Sequence, residues 1–153
     1  MSSIYFTALT VWCIAASCVD LRTLRLPNAL TGSGAALILG FALCTERFTI
    51  ALCGAALLAS PYLLVHLAAP AALGTGDAKL AVGLGAAAAL GGAQCWVSAA
   101  LAAPVLTALA AVVQLVHRAA RAGPRADRAV LPHGPSMCLA TLLALAVWAP
   151  GAH

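Results

Sequence analysis

Residues 74–90 read GTGDAKLAVGLGAAAAL and place Asp77 at the head of an apolar run. The chain has four acidic residues in all, and another of them, Asp20, ends an apolar run near the N-terminus. A charged side chain at the centre of a membrane helix costs about 2.5–3.5 kcal/mol on insertion scales, so an acidic residue in such a setting indicates a functional site. The two aspartates, at the ends of different apolar runs, therefore suggest one paired site.

Composition assigns the chain to the membrane class. Of its 153 residues, 63% are apolar and 8% are charged, and the mean hydropathy is +1.02. A soluble domain of this length needs more charge to cover its surface. The basic residues are sparse and have no interleaved aromatic side chains, which excludes a nucleic-acid interface. The many small residues favour close helix–helix approach, as we expect for the glycines at 83, 85, 91 and 92.

The apolar runs predict an all-α polytopic membrane protein of about six transmembrane helices, because a spanning helix needs roughly 20 apolar residues. The predicted helices cover residues 3–19, 29–44, 48–69, 78–90, 93–116 and 135–148. The fourth is the shortest at about 20 Å, against a hydrocarbon core of about 30 Å, so we expect it to begin in a wet cavity. Residues 1–153 are expected to form a single domain.

The distribution of basic residues predicts the orientation. With six spans and the N-terminus outside, only Arg47 falls in an outside segment, and this asymmetry follows the positive-inside rule. The basic residues of the inside segments are Arg22, Arg25, Lys79, Arg118, Arg121, Arg125 and Arg128. Asp20 and Asp77 are then both at the cytoplasmic face, where they can meet.

The cysteines and histidines give no metal-site signal. None of the six cysteines forms a C-x-x-C pair, and in apolar runs a free cysteine behaves as a small hydrophobe. His66, His117 and His133 lack ligand spacing and are expected at the polar boundary of the membrane. We predict no metal and no cofactor. For Lys79 two roles stay open, which are neutralising a nearby carboxylate and marking the membrane surface.

Three motifs together resemble the type IV prepilin peptidase family, the membrane aspartic proteases of the GxGD type. They are Asp20, then Pro27-Asn28, then Gly74-x-Gly76-Asp77-x-Lys79. Residues 131–136, Leu-Pro-His-Gly-Pro-Ser, are similar to the family's final motif, in which an aromatic residue usually stands at the position of His133. The resemblance covers essentially the whole chain, and the combination of motifs is specific although Gly-x-Gly-Asp alone is not.

The resemblance implies a multi-pass protein of the plasma or inner membrane whose aspartyl site opens to the cytoplasm. It implies that Asp20 and Asp77 are the catalytic pair. The partner that it implies is a prepilin or pseudopilin with a hydrophobic N-terminal helix, whose short basic leader is cut at the cytoplasmic membrane face. The residues expected to support the site are Pro27, Asn28, Gly74, Gly76, Lys79, Gly134 and Pro135.

One departure from the long family members concerns the segment after the first helix. Only residues 21–28 separate the first two predicted helices, and no C-x-x-C insert is present. The chain therefore resembles the short, peptidase-only form found with Flp pili of tight-adherence systems, without a methyltransferase or zinc insert. The alternative is a non-enzymatic small transporter or pilus-assembly membrane subunit, because buried acidic residues also mark ion pathways. Transporters usually carry internal repeats, which this sequence lacks.

Overall fold

The computed structural model describes residues 3–70, 74–120 and 133–148, without the side chains of residues 118–120. Within these ranges the chain forms six α-helices and no strand, so the prediction of an all-α fold is confirmed. The helices are α1 (Ser3–Thr23), α2 (Asn28–Cys44), α3 (Phe48–Ala68), α4 (Thr75–Leu90), α5 (Ala93–Ala120) and α6 (Gly134–Trp148). Three helical segments are long and apolar enough to cross a membrane, namely Ser3–Thr23, Phe48–Ala68 and Ala93–His117.

The first helix is longer than predicted. It was expected to end at residue 19, but it continues to Thr23 and stops where Leu24 takes a positive φ of 51°. The polar residues after Asp20 have ordinary helix propensities, so the end of the apolar pattern did not mark the end of the helix. Asp20 consequently lies in the last turn of α1, where only 5% of its surface is exposed.

The fourth helix also begins earlier than predicted, at Thr75 with Gly74 as its N-cap. Its 16 residues give a length of about 24 Å. α4 packs against α2, α3, α5 and α6, and every residue from 83 to 90 is buried. A helix surrounded by protein does not have to match the thickness of the lipid, which explains how α4 can be so short.

Glycines allow α3 and α4 to pack closely. A Cβ atom added at Gly85 would lie 2.5 Å from the carbonyl oxygen of Gly54, and one added at Gly54 would lie 2.7 Å from that of Gly85. A Cβ at Gly91 would likewise lie 2.7 Å from a leucine methyl of α6. The prediction of close packing was wrong for Gly92, which has open space around it and a φ of +108°. Gly92 instead permits the turn between α4 and α5.

The fifth and sixth helices complete the bundle. α5 extends to Ala120, so residues 117–120 are helical although they were predicted to begin a loop. The rest of that loop, with Arg121, Arg125 and Arg128, lies outside the described residues. α6 packs against α1, α4 and α5. The ends of α1 and α3 and the starts of α2, α4 and α6 thereby lie at one end of the bundle, where the predicted site residues lie.

Candidate functional site

Asp20 is held by the start of α6. The backbone N–H of Gly134 donates a hydrogen bond of 3.0 Å to Oδ2 of Asp20. A Cβ atom at position 134 would lie 2.8 Å from the same oxygen, so glycine is the residue that lets the carboxylate approach the backbone. Pro135 follows in the first turn of α6, where its missing N–H costs nothing because that group has no partner within the helix.

Asp77 lies half-buried in the first turn of α4. Aspartate is one of the residues most often found as a helix N-cap. The N-cap is instead Gly74, which has no side chain to form a capping hydrogen bond. The N–H of Asp77 donates to the Gly74 carbonyl oxygen at 3.2 Å. The Asp77 carboxylate in turn accepts a hydrogen bond from the Gly74 backbone, so it also helps to close the first turn of its own helix.

The two carboxylates are close enough for their charges to interact. α6 packs against both α1 and α4, and so brings the last turn of one helix towards the first turn of the other. A nearby like charge disfavours the ionised form of a carboxyl group, so the charge of Asp20 acts against ionisation of Asp77. A coupled pair can offer one ionised and one protonated carboxyl group at the same time.

The predicted support residues gather around the same end of α4. Oδ1 of Asn28, the first residue of α2, accepts a hydrogen bond of 2.6 Å from Nζ of Lys79. Lys79 is exposed and its contact is to a neutral amide, so the contact does not decide between the two roles left open for this residue. The carbonyl oxygen of Pro27 accepts the N–H of Leu30 at 3.0 Å and so opens α2. These contacts tie α2 to the helix that carries Asp77.

Gly74 and Gly76, before and within the first turn of α4, differ in how closely their neighbours approach. A Cβ at Gly76 would lie 2.9 Å from Cβ of Leu26, so the segment between α1 and α2 packs directly on α4. A Cβ at Gly74 would lie 3.7 Å from Oδ2 of Asp77, which is ordinary contact. The structure therefore gives Gly76 a steric reason to be glycine, whereas Gly74 is under no such constraint from its neighbours.

A second set of polar side chains lies beside the aspartates. Nδ1 of His133 is 2.6 Å from Oγ1 of Thr107 on α5, and Nε2 is 3.2 Å from the hydroxyl oxygen of Tyr62 on α3. The charge of Asp77 acts on that Tyr62 hydroxyl. Burial lowers the pKa of His133, which favours the neutral imidazole.

Sequence reasoning missed Tyr62 and Thr107. Tyr62 is one of two tyrosines in the chain, and this rarity of a polar aromatic residue could have indicated a role for it. Thr107 is a threonine within an apolar run, and nothing in the sequence distinguishes it. The rings of Tyr62 and His133 also contact each other, with centroids 5.4 Å apart. His133 was expected only to rest at the polar boundary, and the structure gives it specific partners.

An apolar cavity of about 360 Å³ between α3 and α5 borders this site. Tyr62 and His133 form its polar wall, and Leu57, Trp96 and Pro104 are among its apolar residues. No group of three His, Cys, Asp or Glu side chains able to hold a metal ion occurs within the described part of the chain. Cys13, Cys95 and Cys138 are buried free thiols of the core.

The fold and the site define a class of protein, a helical membrane protein with two interacting carboxylates at one end of its bundle. Residues 7–117 match the type IV leader peptidase family, and the chain belongs to that family. It is therefore a membrane protease that acts on the leaders of prepilins. No curated protein and no solved structure matches the chain.

Proposed function

We propose that the protein is an aspartic endopeptidase in which Asp20 and Asp77 are the catalytic pair. The observation that carries the proposal is the meeting of two buried or half-buried carboxylates from separate helices at one end of the bundle. In the part of the chain that the structure describes, the one other acidic residue is Glu46, which is exposed in the turn between α2 and α3.

The reaction follows from a carboxylate pair that holds one proton. The ionised carboxylate takes a proton from water, and the water oxygen attacks the carbonyl carbon of the peptide bond. The protonated carboxyl group donates a hydrogen bond to the carbonyl oxygen as negative charge develops there. The tetrahedral intermediate then collapses, the C–N bond breaks, and the proton taken from water passes to the amine. The pair ends with one proton, as it began.

The proposed setting follows the distribution of charge. Seven of the eight basic residues fall in the segments assigned to the inside, so the aspartates face the cytoplasm and the N-terminus is outside. The proposed substrates are Flp-like prepilins, cut between the basic leader and the apolar helix. Peptide hydrolysis by two carboxylates needs no cofactor and no metal. Methyl transfer is not part of the proposed activity.

The apolar cavity between α3 and α5 supports a substrate of this kind. The residues that line the cavity are apolar along most of its length. They are polar only at Tyr62 and His133, on the side that faces the aspartates. A prepilin is apolar on one side of the cleaved bond and polar on the other. This change of polarity matches the change from apolar to polar residues along the cavity wall. We assign the cavity to the start of the prepilin's apolar helix.

The first prediction tests the pair. Asp20→Asn and Asp77→Asn keep the size of each side chain but remove its ability to ionise. Each variant is expected to lose leader cleavage by more than about a thousandfold, and the double variant is expected to be scarcely worse, because residues that act as a unit are not additive. The measurement is the rate of leader removal from a purified Flp-like prepilin, together with the melting temperature of each variant in detergent.

Glu46→Gln is the matched control. It makes the same chemical change at an exposed acidic residue at the opposite end of the bundle, and it should cleave at the normal rate. Substantial cleavage by a well-folded Asp77→Asn variant would contradict the aspartic mechanism. That result would instead favour the alternative, a non-enzymatic transporter or pilus-assembly subunit.

A further inference from the structure

His133 joins three parts of the bundle at the end that holds the aspartates. It stands directly before α6, and its two ring nitrogens reach Thr107 on α5 and Tyr62 on α3. α3 and α5 lie on either side of the apolar cavity, so the imidazole spans the gap between them. A contact made to both sides of a gap fixes the position of the segment that carries it.

Both ring nitrogens of His133 have a hydrogen-bond partner. Nδ1 lies 2.6 Å from Oγ1 of Thr107, and Nε2 lies 3.2 Å from the hydroxyl oxygen of Tyr62. A hydroxyl group can donate or accept, so either neutral tautomer of the imidazole can make both bonds. The hydroxyl of Thr107 also lies 3.1 Å from the carbonyl oxygen of Ala103 in its own helix. With both nitrogens bonded, the ring is held in place between α3 and α5.

Each aspartate is one step away from this ring. On one side, the residue after His133 is Gly134, whose N–H donates to Oδ2 of Asp20 at 3.0 Å. On the other side, the Tyr62 hydroxyl that bonds His133 feels the charge of Asp77. A shift of the ring would therefore be passed through the backbone to Asp20 and through the Tyr62 hydroxyl to the surroundings of Asp77.

We propose that His133 is a positioning residue of the peptidase, whose imidazole, bonded to Thr107 and Tyr62, fixes the start of α6 so that Gly134 holds Asp20 in register with Asp77. The inference rests on the proposed function, because it takes the aspartate pair as the reacting groups. His133 also lines the cavity assigned to the substrate, and the proposed role is that of its two hydrogen bonds, so the test replaces it with an aromatic ring that keeps the lining. The imidazole acts through its two hydrogen bonds. A phenyl ring of similar size would fill the same space but could not form these bonds.

The test separates hydrogen bonding from packing. His133→Phe keeps an aromatic ring but loses both bonds. Thr107→Val loses the bond to His133, together with the hydroxyl bond to Ala103 in its own helix, with little change of volume. A misplacement near 1 Å costs on the order of a hundredfold in rate, so kcat for leader cleavage should fall by roughly tenfold to a hundredfold in His133→Phe. It should fall by a smaller factor in Thr107→Val. KM should stay within about twofold, because the lost interaction acts at the reacting groups.

Non-additivity is the decisive readout. In the His133→Phe background, Thr107→Val should have no further effect, because its partner is already gone. The matched control is Thr10→Val on α1, which removes the same kind of hydroxyl-to-helix bond, here to Phe6, and has no imidazole partner. This control should leave kcat unchanged.

Two results would overturn the positioning role. One is a normal kcat in His133→Phe, and the other is a Thr107→Val effect that adds in full to that of His133→Phe. If His133→Phe does not fold, the kcat of Thr107→Val relative to Thr10→Val still decides the question. Failure of the aspartate pair itself is separate, since it would show as cleavage by Asp20→Asn or Asp77→Asn whatever His133 does.

Discussion

The Asp20 side chain depends on the absence of a side chain at position 134. Oδ2 of Asp20 receives the N–H of Gly134 at 3.0 Å, and a Cβ there would stand 2.8 Å from the same atom. A carboxylate that is 95% removed from solvent relies on such a donor, because a buried polar group without a partner costs about 1–3 kcal/mol. The absence of a side chain at Gly134 therefore allows the hydrogen bond that positions one of the two proposed catalytic groups.

Gly134→Ala is predicted to push Asp20 away from the backbone. The added methyl group cannot coexist with the hydrogen bond, so leader cleavage should fall on the order of tenfold to a hundredfold. The measurement is kcat for the purified variant, with its melting temperature recorded alongside.

Gly40→Ala is the matched control, since a Cβ at that exposed helical glycine meets nothing within 4 Å. Its cleavage rate should be normal and its stability equal or slightly higher, because alanine is the better helix former. Normal cleavage by Gly134→Ala would show that the bond from position 134 is not needed.

At the scale of the elements, α4 organises the bundle. It contacts four other helices, and its first turn carries Asp77 while its end is met by the α2–α3 turn. At that far end, Nη1 of Arg47 donates to the carbonyl oxygen of Leu90 at 2.8 Å and satisfies one of the free carbonyls of the helix terminus. At the near end, the link between Asn28 and Lys79 ties α4 to α2. Both ends of the helix are thus fixed by neighbouring helices.

Breaking the near link is predicted to have a modest effect. Asn28→Ala and Lys79→Met each remove the same hydrogen bond, which is exposed, so its loss should be worth about 1 kcal/mol or less. Cleavage should fall by no more than roughly fivefold in each variant. The double variant should resemble the single ones, since both changes break one contact.

Ser33→Ala on α2 serves as the control for this link. Its exposed hydroxyl bonds only the carbonyl of Leu30 in its own helix, at 3.2 Å, so cleavage should not change. Additive losses in the Asn28→Ala, Lys79→Met double variant would mean that the two residues act separately.

At the scale of the whole molecule, the ends of the six described helices divide into two sets. The segment between α1 and α2 lies with the aspartates, and the turn between α2 and α3 lies at the other end of the bundle. The first set carries Arg22, Arg25 and Lys79, and the second carries Arg47. The proposed orientation places the first set in the cytoplasm, in agreement with the positive-inside rule.

Cysteine labelling tests that orientation. Cys18, Cys44 and Cys53 are exposed and the other three cysteines are buried, so replacing the exposed three with alanine gives a background that does not react. In this background, Glu46→Cys is predicted to react with a membrane-impermeant maleimide added to intact cells. Arg25→Cys should react only after the cells are opened, and both positions are exposed in the fold. Labelling of Arg25→Cys from outside would invert the proposed topology.

The sequence by itself determined the class of the fold and the family, and it predicted most residues of the proposed site. Hydropathy located all six helices, because an apolar run of sufficient length has few alternatives to a helix in lipid. The spacing of Asp20, Pro27-Asn28 and the Gly-x-Gly-Asp-x-Lys motif indicated the family, to which the chain belongs. The ends of α1 and α4 were misplaced by three or four residues, because a helix can continue after its apolar pattern stops.

Only the tertiary structure decided how the site is held. No pattern in the sequence links position 134 to Asp20 across 114 residues, or Tyr62 and Thr107 to His133. These contacts arise because α6 packs against α1, α4 and α5 at once, and such packing depends on the shapes of all the facing surfaces. A single helix has a periodicity that can be read from its residues, whereas a contact between distant helices exists only after they have packed.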